Sequence, residues 1–422
     1  MVVLSLGMVF GLTVDHLGIQ KVPETLPVKT KRIRLLMVFG LILISTAFGL
    51  AFSGMITSNL CVATNIGLGT IAGFAAFRYR RLRFFLAISS ALLFLGILEM
   101  AAQFYESNLA PASKIYSYRG EPSVGWMAEH GLVGYAFQGP ARLWATATLG
   151  DEILFDSVFY SIDPLSRRKC APSVESPEHA LFFGGSFAFG EGLSNQQMIA
   201  CQFQTTSEMG YQSYNYGMMG WGPSQTYAQL GVDELFSDIR QRSGIAVFSF
   251  IGDHIYRTTW NISTAAEFPE YPFFQLSESG DLVGPLKARD RRSLRFATAV
   301  YKFLRGYSPM FRILVDPSMF RIESDEEAVM VTARVLQAAR HRYQNRFDGE
   351  FVVLLWPRSR LDPDLEEFFV QHLITLGVPV IRVPELPGDP LDAQLHPKDG
   401  HPSAKEITWI ASLLLDEVRS IH

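Results

Sequence analysis

The 422-residue chain predicts an α/β fold: a three-layer doubly wound parallel sheet, preceded by a small β annex and, before that, an all-α membrane segment. Three observations predict this. After residue 178, short β-rich runs alternate with helical patterns, the signature of parallel strands joined by crossover helices. Between residues 116 and 170, short alternating runs rich in Gly, Tyr, Phe and Thr read as antiparallel strands. Near the start, no charged residue occurs from Leu35 to Phe77, room for two spans of about 20 residues each.

In chain order, residues 1–104 form the expected membrane region. Spans are expected at 35–56, 59–77 and 83–103, the apolar stretch of the third, from Phe84 to about Ala102, being broken only by Glu99. Lys29, Lys31, Arg32 and Arg34 precede the first span, and Arg78, Arg80, Arg81 and Arg83 separate the second from the third. By the positive-inside rule both basic segments are cytoplasmic, and the chain after about residue 105 lies outside the cytoplasm. The reading is an integral protein of a bacterial inner (cytoplasmic) membrane with a large periplasmic or extracellular C-terminal domain. Cys170 and Cys201 fall in that exported part, where a disulfide is permitted; their pairing is left open. The net charge of −4 and the lack of a basic patch interleaved with aromatics exclude nucleic acid as a partner.

Residues 105–175 are expected to be a linker, over 105–115, and the β annex, with strands at 141–149 and 152–161 around a Gly-Asp turn. Residues 176–422 are expected to form the α/β domain. Its strands are placed at 180–183, 213–216, 245–251, 351–355 and 378–383. Its helices are placed at 194–208, 223–240, 324–347, 362–376 and 402–418. An insertion at 257–323 breaks the alternation with a hairpin near 273–283 and an amphipathic helix at 291–305. It follows a sheet strand, where α/β folds bind ligands, and is expected to form part of a substrate wall.

Two segments carry the chemistry. Ala180-Leu-Phe-Phe183 delivers Gly184-Gly185-Ser186 to a sharp turn, and Asp399-Gly400-His401 opens the last helical pattern. A free Ser hydroxyl is a poor nucleophile and needs a base, and the base needs an orienting acid. His401 is the candidate base and Asp399 the acid, with His396 as a rival base. Aromatics at Phe187, Phe189, Tyr216, Trp221 and Tyr256 are candidates for stacking on sugars or for core packing. No Cys/His spacing points to a metal, and no metal or organic cofactor is expected.

These blocks resemble the SGNH (GDSL-like) hydrolases, over about residues 178–418. The family's Gly-Asp-Ser reads Gly184-Gly185-Ser186 here, with Gly185 in place of the Asp. Its second-block Gly is matched to Gly220 in Asn215-Tyr-Gly217-Met-Met-Gly220. Its Gly-X-Asn-Asp reads Gly252-Asp253-His254-Ile255, with His254 at the Asn position. Its Asp-X-X-His is one residue shorter, at Asp399 and His401. The resemblance implies an SGNH/flavodoxin-like sheet and acyl transfer, most often ester hydrolysis. Ser186 would be the nucleophile, and Ser186, Gly220 and His254 the oxyanion donors. With the membrane anchor, it implies an acylated envelope polysaccharide or lipid as substrate and envelope-polysaccharide assembly proteins as partners. An O-acyltransferase and a non-catalytic glycan-binding module are the alternatives.

Overall fold

The computed structural model describes residues 83–123, 125–170, 175–357 and 361–421. The expected spans 35–56 and 59–77 lie outside the described residues. The chain divides into two compact units, one comprising, among described residues, 83–111 and 303–316, the other 112–302 and 317–421.

In the first unit, Arg83–Asn108 forms a single helix, α1, over the region where a third span is expected. Its side chains are described from Phe94 onward, and Phe94, Leu95, Ile97, Met100 and Phe104 are all exposed. Among the described residues, no helix is both long and apolar enough to cross a membrane. Glu99 is held locally: its carboxylate accepts from the Ser308 hydroxyl and, at 3.0 Å, from the Met310 N–H. Glu106 pairs with Arg312 at 2.7 Å.

The second unit opens with the β annex. Strand β1 (Lys114–Glu121) is followed by a hairpin of β2 (Met127–His130) and β3 (Gly134–Phe137), then β4 (Ala141–Leu149) and β5 (Glu152–Ile162). β1, β4 and β5 form an antiparallel sheet in the order β1-β4-β5. β4 alternates as a half-buried strand should: Leu143, Ala145 and Ala147 face inward and are fully buried. The expected linker ends earlier than placed, because Lys114 and Ile115 already pair with Leu149 and Thr148 in the sheet.

Next come β6 (Glu178–Gly184), α2 (Ser186–Phe189), α3 (Ile199–Thr206), β7 (Tyr211–Asn215), α4 (Pro223–Gln229), β8 (Ser243–Phe250), α5 (Asp253–Thr258) and α6 (Ile262–Glu267). The insertion holds the hairpin β9 (Phe273–Leu276) and β10 (Leu282–Leu286), then α7 (Arg292–Tyr307) and α8 (Pro309–Leu314). The chain closes with α9 (Asp325–Arg346), β11 (Asp348–Leu355), α10 (Pro363–Thr375), β12 (Val380–Arg382), β13 (Gln394–His396), β14 (Asp399–Pro402) and α11 (Ala404–Ile421).

Five strands pair in parallel in the order β12-β11-β8-β6-β7. Because strand side chains alternate, the central strands feed two cores. Leu181, Phe183, Phe248, Phe250 and Val353 pack with α9 and α10 on one face. Ala180, Phe182, Val247, Val352 and Leu354 pack with α3 and α11 on the other. This is the expected three-layer arrangement. α9 starts where its capping box predicts: Ser324 Oγ accepts from Glu327 N–H, and Glu327 reaches back to Ser324 N–H.

Two helices are shorter than expected. The 223–240 pattern ends at Gln229, with Leu230 as its C-cap, and only a 3₁₀ turn follows at Asp233–Phe236. The 194–208 pattern begins as a 3₁₀ turn, Asn195–Gln197, before α3. The last helix starts at Ala404 rather than 402, because Asp399–Pro402 is used as strand β14.

Cys170 and Cys201 form a disulfide, with Cα atoms 5.3 Å apart. It ties the annex exit to α3. Replacing both cysteines with Ser is expected to cost about 2–4 kcal/mol for a closed loop of this size, read as a lower Tm without change of fold.

Candidate active site

The serine sits where the backbone leaves β6. Gly184 has φ +134°, and a Cβ there would lie 2.7 Å from the Ser249 carbonyl oxygen, so β6 and β8 come this close only with glycine. Ser186 then opens α2, a turn of four residues whose end is fixed by Gly190 in the left-handed conformation, with Gly190 and Glu191 N–H groups donating to Ser186 O. Arg168 pins the far side of this loop. Its buried guanidinium donates to the carbonyls of Phe189, Gly190 and Leu193 and to Asn195. Burial lowers it only to about 10, so it stays charged at neutral pH.

β14 supplies the partners. In an extended strand, residues i and i+2 share a face. Asp399 and His401 therefore lie together without the second spacer residue of the Asp-X-X-His motif. His401 Nε2 is 2.8 Å from Ser186 Oγ, and Nδ1 is 2.6 Å from Asp399 Oδ1, which also accepts from the His401 N–H at 3.2 Å. Ser186, His401 and Asp399 thus form one hydrogen-bonded line. Burial by itself pushes the Asp399 carboxyl up, but the His401 hydrogen bond and charge, followed by Lys114, outweigh it and hold the group well below the usual carboxylate range. His396, the rival base, pairs instead with Glu152 at 3.3 Å and is not part of this line.

The three lie at a cavity of about 680 Å³. Gly220 lines it, in the left-handed region at φ +76°, with its carbonyl turned to accept from the Tyr271 hydroxyl at 2.9 Å. His254 does not line the cavity. It is fully buried between Phe248 and Phe250, and its Nδ1 accepts from the Ile251 N–H at 3.2 Å, which places its proton on Nε2. Burial first, and the Arg257 charge second, push it well below its ordinary value, so the ring is neutral. Its Nε2 sits behind Gly185, where an added Cβ would be 2.9 Å from that nitrogen and 3.1 Å from both Arg257 Nη1 and the Trp221 carbonyl oxygen. The space that the family's Asp would need is taken. Gly185→Ala is therefore expected to destabilise the fold by about 1–3 kcal/mol and to lower activity by displacing the serine turn, measured by denaturant unfolding beside turnover.

Several cavity residues were not anticipated. Lys114, Tyr116 and Tyr118 alternate along β1 and so share its inner face; with Trp126 and Tyr135 they bring the annex into the site. Trp126 packs 4.4 Å from Tyr118, centroid to centroid. The signal, a Lys-X-Tyr-X-Tyr alternation, was present in the sequence at the edge of the expected linker. Of the aromatics proposed earlier, Phe187 lines the cavity beside His401, whereas Phe189, Tyr216 and Trp221 are buried in the core and Tyr256 packs under Arg321. The insertion contributes Arg257 and Phe268 to the wall. Among the described residues, no group of His, Cys, Asp or Glu side chains is gathered to hold a metal ion.

No family model matches the chain, and no curated protein matches it. Solved structures similar to it include a psychrotrophic esterase from Pseudoalteromonas sp. (11% identity, 58% of this chain and 97% of the other, TM-score 0.32). An acetylxylan esterase from Geobacillus stearothermophilus also matches (12%, 58% and 96%, TM-score 0.30). A third is a protein assigned to the G-D-S-L lipolytic family from Desulfitobacterium hafniense (12%, 57% and 98%, TM-score 0.28). At these identities and TM-scores the likeness is remote, and the chemistry rests on the site's own geometry.

Proposed function

We propose that this chain is a serine esterase of SGNH type, anchored in the membrane by its N-terminal region and acting outside the cytoplasm on an O-acylated envelope glycan. The carrying observation is the continuous line Ser186 Oγ, His401 Nε2, His401 Nδ1, Asp399 Oδ1, with steps of 2.8 and 2.6 Å. In this reading His401 takes the Ser186 proton as Oγ attacks the acyl carbon. Asp399 holds the imidazole tautomer and the charge that forms on it. The N–H groups of Ser186 and Gly220 face the oxyanion, and His401 returns its proton to the leaving alcohol. His254, buried and neutral, supports the turn from behind.

Other observations support the remaining parts. The aromatic faces of Tyr116, Tyr118 and Trp126 favour a sugar ring over an acyl chain as the bound group. The disulfide fits an oxidising compartment. The exposed apolar side chains of α1 and the uncharged run before it fit anchoring in a bilayer. A transferase would run through the same acyl-enzyme and differ only in its acceptor.

The test is acyl release by the full chain in detergent micelles, comparing an O-acetylated polysaccharide with a phospholipid. The expected result is acetate released from the polysaccharide alone, lost in Ser186→Ala. Release of fatty acid instead, or acetate release that survives the mutation, overturns the reading.

A further inference from the structure

His401 has a second carboxylate at its reactive nitrogen. Glu191 Oε2 lies 3.5 Å from His401 Nε2, while its Oε1 accepts from the Tyr116 hydroxyl and, at 3.3 Å, from Lys114 Nζ. Lys114 also binds Asp399 Oδ2 at 3.0 Å, so one ammonium bridges the two carboxylates that flank the imidazole. Glu191 is almost fully buried, lines the same cavity as Ser186 and His401, and is fixed by the serine turn itself through its N–H to Ser186 O. Burial, then the Glu191 charge, push the Tyr116 phenol up, so that it remains a donor. Leaving a carboxylate buried beside the catalytic base is costly unless it is paired, and β1 of the annex supplies both partners.

We propose that Glu191 selects water as the acyl acceptor. This rests on the reading that Ser186 becomes acylated. Once Oγ carries the acyl group it has no proton to give, and His401 Nε2 and Glu191 Oε2 stand side by side as two acceptors. A water molecule has two O–H bonds and satisfies both, at ordinary hydrogen-bond lengths of about 2.8 Å. An alcohol has one O–H; it serves His401 and leaves its carbon against the carboxylate, a desolvated and unmatched contact. In the productive step the water oxygen bonds to the acyl carbon and one of its protons passes to Nε2. The second O–H stays held by Glu191. The C–Oγ bond then breaks, and Nε2 returns its proton to Ser186, leaving the free carboxylic acid and a regenerated hydroxyl. Glu191 thereby separates hydrolysis from acyl transfer at a site otherwise suited to both.

The test uses the full chain in detergent with p-nitrophenyl acetate and added methanol, measuring the p-nitrophenol burst together with acetate and methyl acetate. In the wild type, acetate is expected to dominate. In Glu191→Gln the burst is expected to persist while steady turnover falls about tenfold or more, since an ill-oriented nucleophile costs this much. The ratio of methyl acetate to acetate is expected to rise at least about fivefold. Tyr116→Phe, which leaves Glu191 in place, is expected to shift the ratio in the same direction by less, and decides the matter if Glu191→Gln does not fold. An unchanged ratio in both variants, or a wild type that makes mainly methyl acetate, overturns the proposal. Absence of burst and of any acetyl adduct in a folded wild type would instead overturn the serine reading beneath it, and this proposal with it.

Discussion

Ser186→Ala is expected to lower turnover of p-nitrophenyl acetate by at least about a thousandfold while leaving Tm within a degree or two of the wild type. The hydroxyl is the only atom removed. It makes its hydrogen bond to His401 at the cavity, and the turn that carries it is held by other groups: the Gly184 approach to β8, the Gly190 cap and the Arg168 guanidinium on the loop carbonyls. The fold therefore has little reason to feel the loss. Matched thermal melts and initial rates check both halves. A variant that retains turnover would show that the chemistry is elsewhere.

Asp399→Asn is expected to reduce turnover by about three to four orders of magnitude, because an amide in place of the carboxylate can hold the wrong imidazole tautomer and cannot stabilise the imidazolium. It also has a stability signature. Asp399 is held well below the usual carboxylate range by His401 and Lys114 against the opposing effect of burial. A carboxyl whose folded pKa is depressed contributes stability that is fully present above its unfolded value, near 3.9, and is lost as pH falls through the folded one. The wild type should thus lose stability below about pH 4 partly through this group, and Asp399→Asn should flatten that part of the profile. Melting curves between neutral pH and about pH 2 test the sign; a steeper acid loss in the variant would contradict it.

Much of this site is legible in the sequence because it obeys local rules. Gly-Gly-Ser after Ala180–Phe183 can hardly be anything but a tight strand exit, and the alternation after residue 178 specifies a parallel sheet with two helical layers. The shortened Asp-X-His spacing, which looks like a departure from the family motif, is resolved by backbone geometry: Asp399–Pro402 is extended, so two residues suffice to share a face. What was hidden depends on long-range packing. Lys114 reaches Asp399 across 285 positions of sequence, and the Lys-X-Tyr-X-Tyr alternation that begins there marks a strand face but not its partner. His254 aligns with an oxyanion donor, but the burial that removes it from the cavity comes from Phe248, Phe250 and the tight contact at Gly185. Glu191 reads as one polar residue between two glycines until β1 is placed over it. The helix expected at 223–240 ends at Gln229, and the contact on its last turn comes from Arg342, more than a hundred residues away, whose guanidinium donates to the Tyr227 carbonyl.

The most direct measurement is reaction of the full chain, in detergent, with a fluorophosphonate, followed by peptide mass spectrometry. The geometry predicts a single stoichiometric adduct on Ser186, slowed in Asp399→Asn and absent in Ser186→Ala. A folded wild-type protein that takes up no label, or labels at another serine, would contradict the claim that Ser186, His401 and Asp399 form a working nucleophile.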